Sequence, residues 1–173
     1  MDNCQYCEAV KGKQVLYADA ELVALLAKPA SVPGHVKIIP KQHHTIFEQV
    51  PDSLVRHLFQ TANKFSTILF EALSVQGTNV IVENGSVAGQ KIPHFSIDVI
   101  PRRENDNLVL QWPPKKIPEE QMSSIEIQLQ EDLQRPVSAV IEMDAHAQVP
   151  ADEGQDEEED SEDYMVKNLN RIP

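Results

Sequence analysis

Three polar side chains recur at every second position of the segment His94-Phe95-Ser96-Ile97-Asp98-Val99-Ile100-Pro101-Arg102. Side chains alternate across a strand, so this spacing predicts a strand with His94, Ser96 and Asp98 on one face. The apolar residues between them form the opposite face, which favours burial. A histidine, a hydroxyl and a carboxylate on one face can hold a reacting group, so we take this face as the candidate site.

The only cysteines of the chain, Cys4 and Cys7, form a Cys-x-x-Cys pair. Two thiolates at this spacing can face one metal ion, but a closed structural zinc site needs four ligands. No histidine follows at zinc-finger spacing, so further ligands must converge through the fold. A redox dithiol is a second interpretation, without the strand-turn-helix context typical of thioredoxin, and a pair of ordinary thiols is a third.

Short apolar segments separated by turn residues predict the strands that would position these groups. The predicted strands are residues 14–17, 22–27, 35–40, 78–83 and 94–102. The strand over 35–40 begins at a Pro33-Gly34 turn and ends at its own proline. These segments are short and joined by turns, which is typical of an antiparallel sheet.

One long helix is predicted after Pro51, with Asp52 or Ser53 as its N-cap and Gly77 as its end. Apolar residues follow at helical spacing and form one stripe, which indicates core packing and not a cofactor groove. The stripe consists of Leu54, Leu58, Ala62, Phe65, Leu69, Ala72 and Leu73. A single helix laid on an antiparallel sheet gives an α+β fold.

The character of the chain changes after Arg103. We predict one domain over residues 1–104, followed by an extension over 105–150 with a helix over 119–133. Residues 151–163 form an acidic spacer, which charge repulsion keeps disordered, and residues 164–173 regain apolar anchors. The terminal amphipathic motif could bind a protein partner, or fold back onto its own body or another subunit. The alternative is that the acidic run is only a solvated spacer.

The charge of the chain is unevenly distributed. Nine acidic residues lie between Asp152 and Asp163 and account for most of the net charge of −12. The rest of the chain is nearly neutral, so we expect no binding to nucleic acid or to anionic membranes. The longest apolar run, Leu22–Ala27, is far shorter than a membrane span, and no signal peptide is evident. We therefore predict a cytoplasmic protein.

Four motifs in the first hundred residues resemble, in order, those of the histidine-triad (HIT) superfamily. They are Cys-x-x-Cys at 4–7, Pro33-Gly34-His35-Val36, Pro40-Lys41-x-His43, and Ala88-Gly89-Gln90 ahead of Pro93-His94-Phe95. The resemblance covers residues 3 to 103 and implies a HIT-like antiparallel sheet with one main helix. It also implies a homodimer in which two sheets join into one.

The resemblance implies a ligand set for the cysteine pair. In bacterial and archaeal-type members, and in the related galactose-1-phosphate uridylyltransferases, two N-terminal cysteines share zinc with two histidines. The corresponding residues here are Cys4, Cys7, His43 and His94, with His44 as the alternative to His43. The implied cofactor is a structural Zn²⁺.

The family's signature strand reads His-x-His-x-His, and its middle histidine attacks the α-phosphate of a nucleotide. Only His94 remains here, because Ser96 and Asp98 occupy the other two positions. Imidazole is a good leaving group, whereas a serine phosphoester resists hydrolysis. The Cβ atoms of Ser96 and Asp98 should lie roughly 6–7 Å apart, too far for direct proton transfer. We therefore favour a catalytically degenerate protein that binds a nucleotide or a protein; the alternative is an active nucleotide hydrolase or transferase that uses Ser96 and Asp98.

The resemblance also implies residues that contact a nucleotide or its phosphate. They are His35, Asn84, Gly89 and Gln90. Asp98 and Glu83 should repel phosphate, and Ala27 offers no hydrogen bond where family members place Asp or Asn. Two of the four have plainer interpretations: His35 could satisfy a loop carbonyl, and Gln90 could tie down its own loop.

Overall fold

The computed structural model of the protein describes residues 4–12 and 15–134. The predicted acidic spacer and the 164–173 motif lie outside these residues. By their internal contacts the described residues divide into two units, one ending at Leu108 and the other beginning at Val109. The first unit contains every predicted site residue.

Five antiparallel strands form the sheet of the first unit, in the order β1-β2-β3-β5-β4. The strands are β1 (Tyr17–Ala18), β2 (Leu22–Leu26), β3 (Val36–Pro40), β4 (Gly77–Ile81) and β5 (Ile97–Arg102). The register of the central pair places Lys37 of β3 opposite Asp98 of β5. The polar face of β5 therefore lies beside polar residues of β3.

The main helix, α2 (Asp52–Leu73), buries its predicted apolar stripe as far as Leu69, whereas Ala72 and Leu73 at its end are exposed. Its N-cap is Pro51, one residue before the predicted position, and Asp52 lies in the first turn, where a carboxylate is favoured by the helix dipole. The helix ends at Leu73 because Ser74 adopts a left-handed conformation, with φ of 49°. Gly77 begins β4, so the predicted helix end was wrong by one turn.

The core lies between α2 and the inner face of the sheet. It is built from apolar residues of β2, β3, β5 and α2, with Phe95 just before β5. The predicted α+β fold, an antiparallel sheet with one main helix, is confirmed. Burial of this apolar surface is the main stabilising contribution to the unit.

The predicted strand over 94–102 begins later than expected. β5 starts at Ile97, because the backbone N–H of Phe95 donates to the carbonyl of His44 (2.6 Å) and that of His94 donates to Ile92 (2.7 Å). The alternation of faces persists: Phe95 is in the core, while His94, Ser96 and Asp98 line a pocket on the other side.

Two further helices complete the described residues. The short α1 (Gln5–Val10) begins directly after Cys4. The second unit contains α3 (Glu119–Leu133), whose side chains include no buried residue. None of the helices described, in either unit, is both long enough and apolar enough to cross a membrane.

Candidate functional site

Four potential metal ligands converge on one point of the first unit. Sulfur or nitrogen atoms of Cys4, Cys7, His43 and His94 all lie within 4.8 Å of one another. Cys4 is the N-cap of α1 and Cys7 lies inside that helix. His43 follows the end of β3 and His94 precedes β5, so three separate parts of the chain meet here.

Three sulfur–nitrogen distances within this cluster match those of tetrahedral coordination. The Nδ1 atom of His94 lies 3.5 Å from the Sγ of Cys4 and 3.5 Å from the Sγ of Cys7. The Nδ1 atom of His43 lies 3.3 Å from the Sγ of Cys7. Zn–S bonds of about 2.3 Å and Zn–N bonds of about 2.0–2.1 Å place sulfur and nitrogen roughly 3.5 Å apart in a tetrahedron. The cluster could therefore hold a metal ion with little rearrangement.

The histidines present their lone pairs to this point. The Nε2–H of His94 donates to the buried carbonyl of Pro40 (3.0 Å), which leaves Nδ1 as the acceptor facing the sulfurs. Burial lowers the pKa of His94 to about 4 and also lowers that of His43, so both imidazoles are neutral at pH 7. Burial raises the pKa of the Cys7 thiol, so its thiolate requires a nearby positive charge.

The structure distinguishes between the two adjacent histidines. His43 contributes to the cluster and His44 does not. His44 is buried, and its Nε2 has no hydrogen-bond partner among the residues described. The backbone carbonyl of His44 accepts from Phe95, so its role is to hold the segment before β5 in place.

A pocket of about 450 Å³ lies beside the metal cluster, a size typical of small-ligand sites. His94 lines the pocket as well as contributing to the cluster. Ser96 and Asp98 also face this pocket, as the alternation predicts. Other polar lining residues are Gln5, Tyr6, Lys28, Ser31, His35, Lys37, Glu83, Gln90 and Lys91.

Asp98 is held by two partners in the pocket. The Nε2 of His35 lies 2.6 Å from Oδ1 of Asp98. The Nδ1 of His35 accepts from the backbone N–H of Ser31 (3.2 Å), so Nε2 carries the proton and donates to Asp98. The Nζ of Lys37 lies 2.7 Å from each oxygen of Asp98.

These partners explain the protonation states of the pair. Burial raises the pKa of Asp98, but the hydrogen bond from His35 and the charge of Lys37 outweigh it and lower the pKa overall. Burial likewise lowers the pKa of Lys37, and Asp98 outweighs that effect and raises it. Asp98 therefore stays ionised and Lys37 stays protonated at neutral pH.

Lys37 compensates the charge of Asp98 within one hydrogen bond, which reduces the repulsion expected between this carboxylate and a phosphate. Sequence reasoning did not single out Lys37. The signal was present, because Lys37 lies two residues after His35 and so shares its strand face. What the sequence did not contain was the register that places Lys37 opposite Asp98.

Ser96 lines the pocket without a hydrogen-bond partner for its hydroxyl among the described residues. Both oxygens of Asp98 are engaged by His35 and Lys37, and these contacts lower its pKa, so this carboxylate is a weaker base towards Ser96 than a free one. Lys37 is protonated and cannot act as a base.

The four residues implied as nucleotide contacts divide into two groups. His35 and Gln90 line the pocket, whereas Asn84 and Gly89 do not. The side chain of Asn84 accepts from the backbone N–H of Phe47 (2.9 Å) and donates to Glu48 (2.8 Å), so it braces a neighbouring turn.

Gly89 also has a structural role. Its backbone N–H donates to Ser86 (3.1 Å), so it is not free to bind phosphate. Its φ of +103° and the nearby Glu83 carboxylate, 3.1 Å from an added Cβ, explain the need for glycine there. The Gln90 amide bonds to Gly85 (2.8 Å), Thr45 (2.7 Å) and Ile92 (3.0 Å), and thus ties down its own loop.

A larger apolar cavity of about 780 Å³ lies between α2 and the β1–β2 edge of the sheet. Its two basic groups already have partners: His57 bonds to Asp19 (2.7 Å), and Lys64 lies over the ring of Tyr17. Among the described residues, no metal cluster lies in this cavity. The smaller pocket is therefore the better candidate for the functional site.

A family model for the HIT domain matches residues 8–105, more than half of the 173-residue chain. The chain belongs to the HIT domain family. The resemblance carried by the four motifs is therefore confirmed. The matched region contains β1 to β5 and α2, together with all the pocket-lining residues except Gln5 and Tyr6.

This HIT domain has relatives among archaea and fungi. It is 30% identical over 112 residues to an uncharacterised HIT-like protein of Methanocaldococcus jannaschii, covering 63% of this chain and 86% of that protein. It is 27% identical over 117 residues to adenosine 5′-monophosphoramidase of Saccharomyces cerevisiae, covering 65% and 72%.

The solved structure of a zinc-bound histidine triad family protein from Mycobacterium smegmatis superimposes on this HIT domain with a TM-score of 0.59. Its sequence is 26% identical, and the match covers 65% of this chain and 84% of that one. The fold and the family are thus established independently of the metal cluster.

Proposed function

We propose that this HIT domain binds a nucleotide through its phosphate without turning it over, and that a structural zinc ion stabilises the site. The observation that carries the first part is the engagement of both Asp98 oxygens by His35 and Lys37. It leaves Ser96 without a base while keeping a protonated lysine in the pocket.

The charges of the pocket favour an anion. Lys28, Lys37 and Lys91 line it, against two carboxylates, Glu83 and Asp98. Burial, followed by the charge of Asp98, raises the pKa of Glu83. The similarity to adenosine 5′-monophosphoramidase supports an adenine nucleotide as the first ligand to test.

The absence of turnover follows from the groups that face the ligand. A hydroxyl nucleophile needs a base within hydrogen-bond reach, and neither Asp98 nor Lys37 can serve. Two imidazoles line the pocket. His94 points Nδ1 at the cysteines and Nε2 at Pro40, while His35 accepts from Ser31 at Nδ1 and donates to Asp98 from Nε2. All four ring nitrogens are therefore engaged by protein groups.

Zinc fits the second part of the proposal. Two thiols and two neutral imidazoles form the donor set of a closed structural site, and the 3.3–3.5 Å separations suit it. When bound, the ion supplies positive charge that stabilises the two thiolates and links α1 to the segments around β3 and β5. The zinc-bound relative from M. smegmatis supports this choice of metal.

Titration calorimetry with AMP, combined with turnover of adenosine 5′-phosphoramidate, tests the binding function. We expect AMP to bind and the phosphoramidate to remain intact. Lys37→Met should weaken AMP binding about tenfold or more, as expected for loss of a charge-assisted contact. Lys64→Met removes a lysine outside the pocket and serves as the control.

Two results would overturn the proposal. One is turnover that Ser96→Ala abolishes, together with a nucleotidylated Ser96 detected by mass spectrometry; this would establish the alternative, an active hydrolase or transferase. The other is the absence of AMP binding to the zinc-loaded protein.

Elemental analysis of the purified protein tests the metal. We expect about one zinc ion per chain, since all four ligands come from one chain. Less than about 0.3 zinc per chain in protein prepared without chelator would remove the metal site from the proposal. Thiol titration of Cys4 and Cys7 with and without chelator would then test the redox alternative.

Assembly and location extend the proposal. We propose a homodimer that pairs the β4 edges of two sheets; exposed Val80 lies on that edge strand. The mass in solution tests this, and a monomer at micromolar concentration would contradict it.

Binding of a protein partner by residues 164–173 and a cytoplasmic location stay predictions. Deletion of residues 152–173 before a pull-down tests the former.

A further inference from the structure

We propose that α1 is a wall of the ligand pocket that the metal ligands hold in place, so that metal occupancy controls access to Lys37 through Tyr6. This inference deepens the proposed function and rests on it only for the identity of the ligand. Tyr6 lies between Cys4 and Cys7 in sequence and lines the pocket in space.

The anchoring of α1 is weak apart from its cysteines. The helix has six residues, and none of them is buried; the buried side chain at this end is Cys4, at the N-cap. A helix of this length is not stable in isolation and depends on tertiary contacts. The contacts from Cys4 and Cys7 to His43 and His94 are therefore the main attachment of α1 to the sheet.

Tyr6 connects that attachment to the pocket. Its ring meets the ring of His94 edge-on, with centroids 6.0 Å apart. The Nζ of Lys37 lies 5.6 Å from the centre of the same ring, in the range of a cation–π contact. Lys37 in turn bonds to Asp98, so Tyr6 covers the buried ion pair from the side of α1.

The consequence of metal binding follows from these contacts. With all four ligands joined, α1 is fixed and Tyr6 covers Lys37 on the side of α1, while Lys37 still lines the pocket that receives the phosphate. Without the metal, thiol–imidazole contacts of 3.3–3.5 Å replace coordinate bonds, and α1 separates from the sheet far more readily. The pocket then loses the wall formed by Gln5 and Tyr6, and Lys37 is exposed.

Labelling of lysines with acetic anhydride, quantified for each residue by mass spectrometry, tests the wall without any ligand. The full chain is compared when zinc-loaded, when chelated, and as zinc-loaded Tyr6→Ala. We expect labelling of Lys37 to rise about tenfold on chelation and on Tyr6→Ala, as for local opening. Lys115 and Lys116, which are exposed, provide the internal reference.

Matched variants separate the proposed wall from general loosening. Tyr6→Phe keeps the ring and loses only the hydroxyl that hydrogen-bonds to Lys37, so its Lys37 labelling should stay well below that of Tyr6→Ala. Tyr17→Ala removes a tyrosine of β1 and should leave Lys37 labelling unchanged. Unchanged Lys37 labelling after zinc is lost would overturn the proposal. If chelation unfolds the whole domain, the Tyr6→Ala arm decides: wild-type labelling with zinc retained would also overturn it.

AMP titrations of the same samples add the ligand. We expect chelation and Tyr6→Ala each to weaken AMP binding roughly fivefold, with no further loss when they are combined. Additive losses would overturn the coupling. If AMP fails to bind even the zinc-loaded protein, the proposed function fails, while the labelling result still decides the role of α1.

Discussion

Replacing one partner of the ion pair between Lys37 and Asp98 should lower the free energy of unfolding, whereas replacing both partners should largely restore it. Lys37→Met removes the cation and leaves the Asp98 carboxylate buried, with His35 as its remaining partner. Asp98→Asn leaves the Lys37 ammonium without its counter-charge. The double variant removes both charges, and the asparagine can still accept from His35.

The magnitude follows from the geometry. Two unit charges 2.7 Å apart attract by about 6 kcal/mol at an effective dielectric constant of 20. Desolvation of the two buried groups offsets several kcal/mol of this, and His35 retains part of the stabilisation of Asp98. We expect Lys37→Met to cost about 2–4 kcal/mol of unfolding free energy, and the double variant to return to within about 1 kcal/mol of the wild type.

Urea unfolding of zinc-loaded protein measures these free energies from the midpoint and the slope of the transition. The comparison requires equal slopes among the four proteins, and elemental analysis must show equal zinc content. The reasoning is refuted if Lys37→Met costs less than about 0.5 kcal/mol, or if the double variant equals the sum of the single variants. Either result would mean that Lys37 and Asp98 do not act as a buried pair.

The remaining predictions concern pH, the metal and one glycine. Folding lowers the pKa of Asp98, so the ionised carboxylate stabilises the protein above the pKa of the unfolded chain, and this stabilisation is lost as pH falls through the lower folded pKa. Without Lys37 the pKa is lowered less, so the unfolding free energy of Lys37→Met should fall less than that of the wild type when the pH is lowered. His43→Ala should reduce zinc content by elemental analysis, whereas His44→Ala should retain it. Gly34→Ala should cost about 1–3 kcal/mol in urea unfolding, because φ is +88° and an added Cβ would lie 2.5 Å from a Leu73 methyl group.

The periodicity of apolar residues was sufficient to predict the fold, because the strongest patterns lie within single helices and strands. The α2 stripe and the alternation around β5 each place apolar residues on one face, and burial of those faces determines the architecture. The beginning of β5 was predicted three residues too early. A long-range hydrogen bond from Phe95 to His44 takes that residue out of the ladder, and no local pattern encodes it.

The sequence predicted the metal ligands better than it predicted the residues that line the pocket. The motif order placed His43 and His94 beside the cysteines, since each lies at a fixed distance from a recognisable strand. Asn84 and Gly89 were assigned to the ligand by motif alone. Their polar groups form hydrogen bonds within neighbouring turns. Those hydrogen bonds depend on the conformation of the loops, which the residue types alone do not determine.

The substitutions in the signature segment are best understood through charge. An aspartate at position 98 is buried beside His35 and would be a costly isolated anion without a nearby cation. Lys37 lies opposite it in the β3–β5 register and supplies that cation. The same contact that makes Asp98 tolerable also lowers its basicity, which is the physical basis of our proposal that Asp98 does not activate Ser96.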